Sequence, residues 1–92
     1  MNDLVYAHEL KIWPMYYREV VDGQKRFEIR RADRTFLAGQ MVRLREYIPE
    51  TAESGGGYTG GQATILITHV VTKFAGIAAG YCVFGFVLLR DE

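Results

Sequence analysis

The sequence has little of several residue types that small proteins use for cross-links and metal sites. It contains one cysteine, Cys82, and two histidines, His8 and His69, among 92 residues. A lone thiol excludes an internal disulfide and a multi-thiolate metal site, and the scattered histidines and acids show no metal-ligand spacing. We therefore predict no metal and no cofactor. Because Cys82 lies in the apolar run YCVFGFVLL, we expect it to be a small buried residue in a reducing compartment.

The chain also lacks the segments that direct proteins into or across membranes. Its start, MNDLVYAHEL, contains neither a cationic region nor an uninterrupted apolar stretch. The longest apolar run, residues 74–89, is too short to span a bilayer and is interrupted by three glycines. Serine is nearly absent, since Ser54 is the only one, so no Ser-His-Asp set can be argued. We expect a cytoplasmic protein with no membrane partner.

The residues that are present suffice for one core. A chain of 92 residues with 49% hydrophobic and 13% aromatic residues can build one hydrophobic core but not two. We therefore predict a single domain over residues 1–92. The same hydrophobic content argues against intrinsic disorder.

Charge is balanced in total but uneven along the chain. The 11 basic and 11 acidic residues cancel. Residues 18–45 carry eight cations and four anions, a net charge of +4, and the rest of the chain carries −4. This asymmetry produces one basic surface if the cations share a face, and a scatter of solvated charges if they do not.

Hydrophobic periodicity predicts five strands and one helix. The segment HELKI alternates apolar and polar residues, and Pro14 suits the first turn of a helix that ends at Gly23. Further strands are predicted in RFEIRR, MVRLREY, QATILITHVV and GYCVFGFVLLR. Because the last is apolar on both faces, we expect either an interior strand or a strand with a helix packed over it. The order predicts a mostly-β α+β fold, a small barrel of about five strands with the helix in the first crossover.

The same patterns predict which side chains are buried. Leu10, Ile12, Val42 and Leu44 should point inward, and Trp13, Tyr17, Val20 and Val21 should form the buried face of the helix. We also expect Tyr16, Phe74, Phe84 and Phe86 in the core. Residues 49–61, PETAESGGGYTGG, are predicted to form a mobile loop that carries Tyr58 and Thr59.

One charged cluster could carry chemistry. Lys25 follows the helix-ending glycine, Glu28 comes three residues later, and Arg30 shares a strand face with Glu28. Such a cluster offers cations for a phosphate or base carbonyl and a carboxylate for an amino group. The alternative is an ordinary ion-pair ladder on a strand. Tyr58, isolated among glycines, could stack on a base.

The motifs HELKI, GQKRFEIR followed by DRTF, and GYTG identify a resemblance that covers His8 to about Leu89. The chain resembles a small phage and bacterial family of unknown function in the ASCH-like branch of the PUA superfamily. The resemblance implies a PUA-like β-barrel that binds RNA or a nucleotide in a cleft between barrel and helix. It places Lys25, Glu28 and Arg30 in the cleft, Asp33 and Arg34 on the adjacent loop, and Tyr58 and Thr59 on a loop able to close over it.

The resemblance also raises the question of catalysis. A related ASCH protein hydrolyses the acetyl amide of N4-acetylcytidine with a lysine at the position of Lys25. Here Glu28 replaces that enzyme's threonine, and residues 72–80 are too short for the helical segment that carries its glutamate. One alternative is therefore a small amidohydrolase of modified nucleosides that uses Lys25 as nucleophile or base. Another is a phage accessory protein that binds a host protein.

Overall fold

A computed structural model describes residues 5–91, which form one mixed five-stranded sheet and one helix. The elements are β1 (His8–Ile12), α1 (Pro14–Val21), β2 (Phe27–Arg31), β3 (Met41–Ile48), β4 (Gly57–Val71) and β5 (Tyr81–Asp91). The strand order is β1-β3-β4-β5-β2, with β1 parallel to β3 and the other neighbours antiparallel. The sheet curls into a half-barrel with β1 and β2 at its edges. Residues 1–4 and 92 of the predicted domain lie outside the described part.

This architecture confirms the predicted mostly-β fold with one short helix in the first crossover. The alternating patterns place Leu10 and Ile12 of β1 and Val42 and Leu44 of β3 in the core, as predicted. Of the two alternatives for GYCVFGFVLLR, the interior strand is confirmed, because β5 pairs with both β4 and β2.

Irregular pairing explains the curl. The register shifts between Arg45 and Tyr47 in the β3–β4 ladder and twice in the β4–β5 ladder, after Thr64 and after Ile67. An extra residue in one strand of an antiparallel pair bends that strand and increases its twist. The 15-residue β4 can therefore follow the curve of the half-barrel over its whole length.

The core lies on the concave side of the sheet. Its most completely buried large side chains are Phe84, Leu44, Ile65 and Ile67. Cys82 is 1% exposed, which confirms the predicted buried thiol. Burial, with a smaller contribution from the negative charge of Asp33, raises the pKa of that thiol.

Helix α1 begins and ends where the sequence predicts. Pro14 occupies the first turn, and Gly23, with φ +82°, follows the last turn and donates its N–H to the Val20 carbonyl at 3.0 Å. Val20 is fully buried, and Tyr17 and Val21 pack against the core. The expectation for Trp13 is wrong, since it is 52% exposed. A helix of two turns presents only a narrow stripe to the sheet, and Trp13 precedes its first turn.

Three further expectations need correction. Tyr16 is 40% exposed, and Phe74, which lies in the connection between β4 and β5, is 72% exposed. The glycine-rich loop is shorter than predicted, since β4 already begins at Gly57 and Tyr58 pairs with Tyr47 of β3. Pairing of Gly57 and Tyr58 with Ile48 and Tyr47 therefore joins the first part of this glycine-rich segment to the sheet.

Among residues 5–91, no helix is long and apolar enough to cross a membrane.

Candidate ligand cleft beside strand β2

Strand β2 buries the carboxylate of Glu28 and exposes its two apolar side chains. Glu28 is only 5% exposed, whereas Phe27 and Ile29 are 48% and 60% exposed. The alternation is the one predicted, but β2 lies at the sheet edge, where the inward position pairs Glu28 with the fully buried Phe84. A carboxylate at the margin of an apolar core loses much of its hydration, so its contacts with the protein determine how much its burial costs.

Those contacts come from two cations of the same segment. Lys25 Nζ lies 3.2 Å from Glu28 Oε2, and Arg30 Nε donates to Glu28 Oε1 at 3.3 Å. The lysine approaches outside hydrogen-bonding geometry, so Oε2 is a buried acceptor with no hydrogen bond among the described residues. The ion pair with Lys25 therefore neutralises charge without satisfying this oxygen.

The end of the helix positions Lys25. The amide N–H groups of Gln24 and Lys25 both donate to the Glu19 carbonyl at 3.0 Å. These bonds hold the segment that follows α1 against the end of the helix. Lys25 Nζ then donates to the Phe27 carbonyl at 2.6 Å. The lysine side chain is thus held between helix and strand, 13% exposed, at the mouth of β2.

Arg30 joins the two edges of the half-barrel. Its Nη2 donates to the Lys11 carbonyl of β1 at 2.7 Å, while its Nε contacts Glu28. Because β1 and β2 are the edge strands, this guanidinium spans the opening between them. One side chain therefore contributes to both the cleft and the closure of the barrel.

Strand β2 also presents free backbone groups to the cleft. The Phe86 N–H donates to the Arg26 carbonyl, and the Ala32 N–H donates to the Gly80 carbonyl, which makes residues 26, 28, 30 and 32 the hydrogen-bonded positions of the β2–β5 ladder. The N–H and C=O groups of Ile29 therefore point away from β5, toward the open edge.

A cavity of about 500 Å³ lies between α1 and this edge. Its lining comprises Tyr16, Glu19, Gln24, Lys25, Phe27, Glu28 and Ile29. A second cavity of about 250 Å³ shares Tyr16, Glu28 and Ile29 with the first and extends to Lys11, Trp13 and Arg30. The two form one groove along β2, with the Glu28 carboxylate at the point they share.

The structure thus brings together Lys25, Glu28 and Arg30, as the sequence predicts. Asp33 and Arg34 lie outside the groove, in the loop after β2, as an exposed ion pair with 3.5 Å between Oδ1 and Nε. They line a separate cavity of about 250 Å³ to which Arg30 also contributes. Arg30 therefore separates them from Glu28.

Tyr58 and Thr59 do not lie on a loop over the cleft. They belong to β4, where Tyr58 packs edge-on against Tyr47 with ring centroids 5.0 Å apart. Thr59 donates its hydroxyl to Glu46 Oε1 at 2.5 Å. The nearest link to the groove is Lys11, whose Nζ lies 5.8 Å from the Tyr58 ring centroid.

A family model described as a domain of unknown function, DUF3850, matches residues 7–86. The chain belongs to the DUF3850 family. The match includes α1, β2 and every residue that lines the groove, so the cleft is part of the DUF3850 domain itself. No curated protein matches the chain.

Sequence reasoning missed the residues of the DUF3850 groove that lie outside the GQKRFEIR segment, among them Tyr16, Trp13 and Lys11. Tyr16 faces the larger cavity, and its ring stacks with Trp13 at 6.4 Å between centroids. Lys11 reaches the smaller cavity from β1. The sequence does contain a signal for Trp13 and Tyr16. Because Trp13 immediately precedes Pro14, the first residue of the helix, its side chain lies before the buried face of the helix begins. No local signal could have placed Lys11 beside β2.

The groove offers charge and hydrogen bonding. Among residues 5–91, no group of three or more His, Cys, Asp or Glu side chains is arranged to hold a metal ion. The groove can instead accept a hydrogen bond at Glu28, offer cations from Lys25 and Arg30, and present aromatic faces.

Proposed function

We propose that this DUF3850 domain binds RNA and holds one nucleotide unit in the groove between α1 and β2. The observation that carries the proposal is Glu28 Oε2, a buried carboxylate oxygen without a hydrogen bond among the described residues. A buried acceptor left with no partner costs about 1–3 kcal/mol, and the Lys25 ammonium 3.2 Å away offsets part of that cost at Oε2. An amino group of a bound base would satisfy it.

The surroundings of Glu28 suit a nucleobase. Tyr16 and Phe27 present aromatic faces to a cavity of about 500 Å³, which is within the size range of small-molecule sites. Lys25 can contact a carbonyl oxygen or a phosphate, and the free N–H and C=O of Ile29 can pair with a base edge. A planar ring with an exocyclic amino group meets all of these requirements.

The ASCH-like resemblance supports the same proposal. A curled sheet with a helix between β1 and β2, and a cleft lined by GQKRFEIR, are what that resemblance implies. We therefore also propose that the DUF3850 family belongs to the ASCH-like branch of the PUA superfamily. Charge adds limited support, because only Lys25 and Arg30 of the eight cations in residues 18–45 line the groove. Arg43 and Arg45 lie on the outer face of β3.

An amide-resolved NMR titration with a short single-stranded RNA, at low and moderate salt, tests the proposal. We expect shifts on residues 24–30 and Tyr16 that weaken with salt, and about tenfold or greater losses of affinity for Lys25→Ala and Arg30→Ala. Arg18→Ala removes an equal charge from the helix and serves as the control. Unchanged affinity in both groove variants, with their folds intact, would contradict the site.

The amidohydrolase remains a second candidate because Lys25 lines the larger cavity together with Glu19. To attack an amide, the lysine amine would have to leave both the Phe27 carbonyl and Glu28. Incubation with N4-acetylcytidine decides the matter, since production of cytidine that Lys25→Ala abolishes would establish catalysis. If RNA and nucleoside both leave the spectra unchanged, a nuclease-insensitive protein partner becomes the better hypothesis.

A further inference from the structure

A second set of cations and aromatic rings lies outside the groove, on the convex face of β1, β3 and β4. We call it the outer band, and it consists of Tyr6, Lys11, Arg43, Arg45, Tyr47 and Tyr58. The inward positions of these strands hold Leu10, Val42 and Leu44, so the alternate positions in the same register face outward. The outer band is therefore a surface feature and not part of the core.

Cations and rings alternate within the outer band at contact distance. The Arg45 guanidinium carbon lies 3.8 Å from the Tyr58 ring centroid, and Lys11 Nζ lies 4.3 Å from that of Tyr47. At the other end, the Arg43 guanidinium carbon lies 4.3 Å from the Tyr6 ring centroid. These cation–π contacts hold the charged groups in place before any ligand arrives.

The charge of the outer band is only partly compensated. Glu9 lies between Arg43 and Arg45, and a single carboxylate contacts both guanidinium groups at 3.4 Å. Within the described residues, Arg43 Nε is buried and has no hydrogen-bond acceptor. Tyr58 is 47% exposed, so a flat partner can reach its ring. An excess of cations interleaved with accessible rings is the composition that binds single-stranded nucleic acid.

Lys11 connects the outer band to the groove. It is one of the residues that line the smaller cavity, and its ammonium lies over Tyr47 and Tyr58. Its carbonyl accepts the hydrogen bond from Arg30, which fixes this part of β1 beside β2. An RNA strand that runs from the groove past Trp13 and Lys11 thus reaches the outer band over a charged surface.

We infer that the ligand is a single-stranded RNA whose neighbouring nucleotides lie along the outer band while one nucleotide occupies the groove. The inference rests on the proposed function and deepens it, because it states which surface holds the nucleotides on either side of the one in the groove. From Arg43 to Tyr47, β3 spans about 13 Å, which is longer than one nucleotide can cover. Tyr58 then stacks on a neighbouring base and not on the base in the groove.

The test compares cytidine 5′-monophosphate with a single-stranded RNA hexanucleotide of mixed sequence, each titrated by NMR into the full chain. The hexanucleotide should bind at least about tenfold more tightly. Arg45→Gln and Tyr58→Leu should each weaken the hexanucleotide about tenfold and leave the mononucleotide unchanged. Arg45→Gln should also reduce the salt slope by about 0.7. Arg18→Gln, an equal loss of charge on α1, should change neither affinity.

The outcomes separate this inference from the proposed function. If both ligands bind with equal affinity, the outer band does not bind RNA, and the proposal for the groove stands. The same conclusion follows if Arg45→Gln and Tyr58→Leu leave the affinity for the hexanucleotide unchanged. If the affinity for the hexanucleotide falls in the Arg45 and Tyr58 variants but not in Lys25→Ala, the groove is not the nucleotide site. If neither ligand binds, both proposals fail. Spectra of the free variants confirm that each has kept its fold. Because Arg45 lies on β3 and Tyr58 on β4, an effect seen in both variants cannot come from a local disturbance of one strand.

Discussion

Glu28 is the residue on which the electrostatics of the groove depend. It is nearly buried, it lies 3.2–3.3 Å from two cations, and one of its oxygens lacks a hydrogen bond within the described part of the chain. Removing one partner of a buried ion pair leaves the other charge uncompensated, which costs more than the pair itself contributes. The pair with Lys25 should therefore show measurable coupling.

A double-mutant cycle on Glu28→Gln and Lys25→Met measures that coupling by urea unfolding. We expect Glu28→Gln alone to lower the free energy of unfolding by about 1–3 kcal/mol, because Arg30 and Lys25 both lose their counter-charge. The double variant should lose about 1 kcal/mol less than the sum of the single losses.

The exposed pair of Asp33 and Arg34 provides the matched control. Its side chains are 62% and 43% exposed, so solvent screens the interaction. The same cycle with Asp33→Asn and Arg34→Gln should give coupling close to zero. Equal coupling in the two cycles would mean that burial adds nothing at Glu28.

At the scale of elements, β2 differs from every interior strand because one edge of its backbone is open. The phase of the β2–β5 ladder directs the Glu28 and Arg30 amides to β5 and the Ile29 amide to the groove. Amide exchange of the free protein, followed by NMR, should therefore alternate along β2. We expect Ile29 to exchange at least about tenfold faster than its neighbours.

Slow exchange at Ile29 would contradict an open edge and would indicate that a second copy of the chain covers it. A concentration series distinguishes that case, because protection by self-association decreases on dilution. Addition of the RNA ligand should slow exchange at Ile29 in particular if the base pairs with the strand edge.

The contact between α1 and the sheet depends on a glycine of β4. A Cβ on Gly61 would lie 2.8 Å from Glu46 Oε1 and 3.0 Å from the Tyr17 ring. Gly61→Ala should therefore displace Tyr17 and lower the free energy of unfolding by about 1–3 kcal/mol.

Gly55→Ala is the control for that substitution, because a Cβ at Gly55 meets no atom within 4 Å. It should change stability by less than about 0.5 kcal/mol. If the two variants are equally stable, the Tyr17 side chain adjusts freely and the packing of α1 is looser than the structure indicates.

At the scale of the whole molecule, stability is linked to pH through Cys82. Burial raises the pKa of this thiol, so the folded protein keeps the proton at pH values where the unfolded chain releases it. The folded state then binds more protons, and the free energy of unfolding falls as pH rises above about 8.5, by up to about 1.4 kcal/mol per pH unit.

Urea unfolding of the natural chain and of Cys82→Ala between pH 7.5 and pH 9.5 isolates this effect. Cys82→Ala should be less stable at every pH, because it leaves a cavity, but its stability should fall less steeply. Every other titrating group, Tyr6 included, is common to both chains and cancels in the comparison. Parallel slopes would contradict the raised pKa.

The elements and the three residues of the charged cluster could be predicted from local sequence. Strand alternation and the helix boundaries at Pro14 and Gly23 depend on neighbours within a few positions. Lys25, Glu28 and Arg30 lie within six residues, so their proximity needs only a strand after a turn. Tyr58 could not be placed in this way, because its position depends on the distant strand β3 that lies beside it.

The sequence by itself therefore determined the order of the elements, the inward residues of β1 and β3, and the charged cluster at the start of β2. Only the tertiary structure decided that β2 is an edge strand with its carboxylate buried, that Arg30 reaches Lys11, and that Tyr58 belongs to the outer band. The physical reason is range. Periodicity records which face of an element is apolar, whereas the neighbours of that element come from residues far along the chain, as for Arg26 and Phe86, which are 60 positions apart.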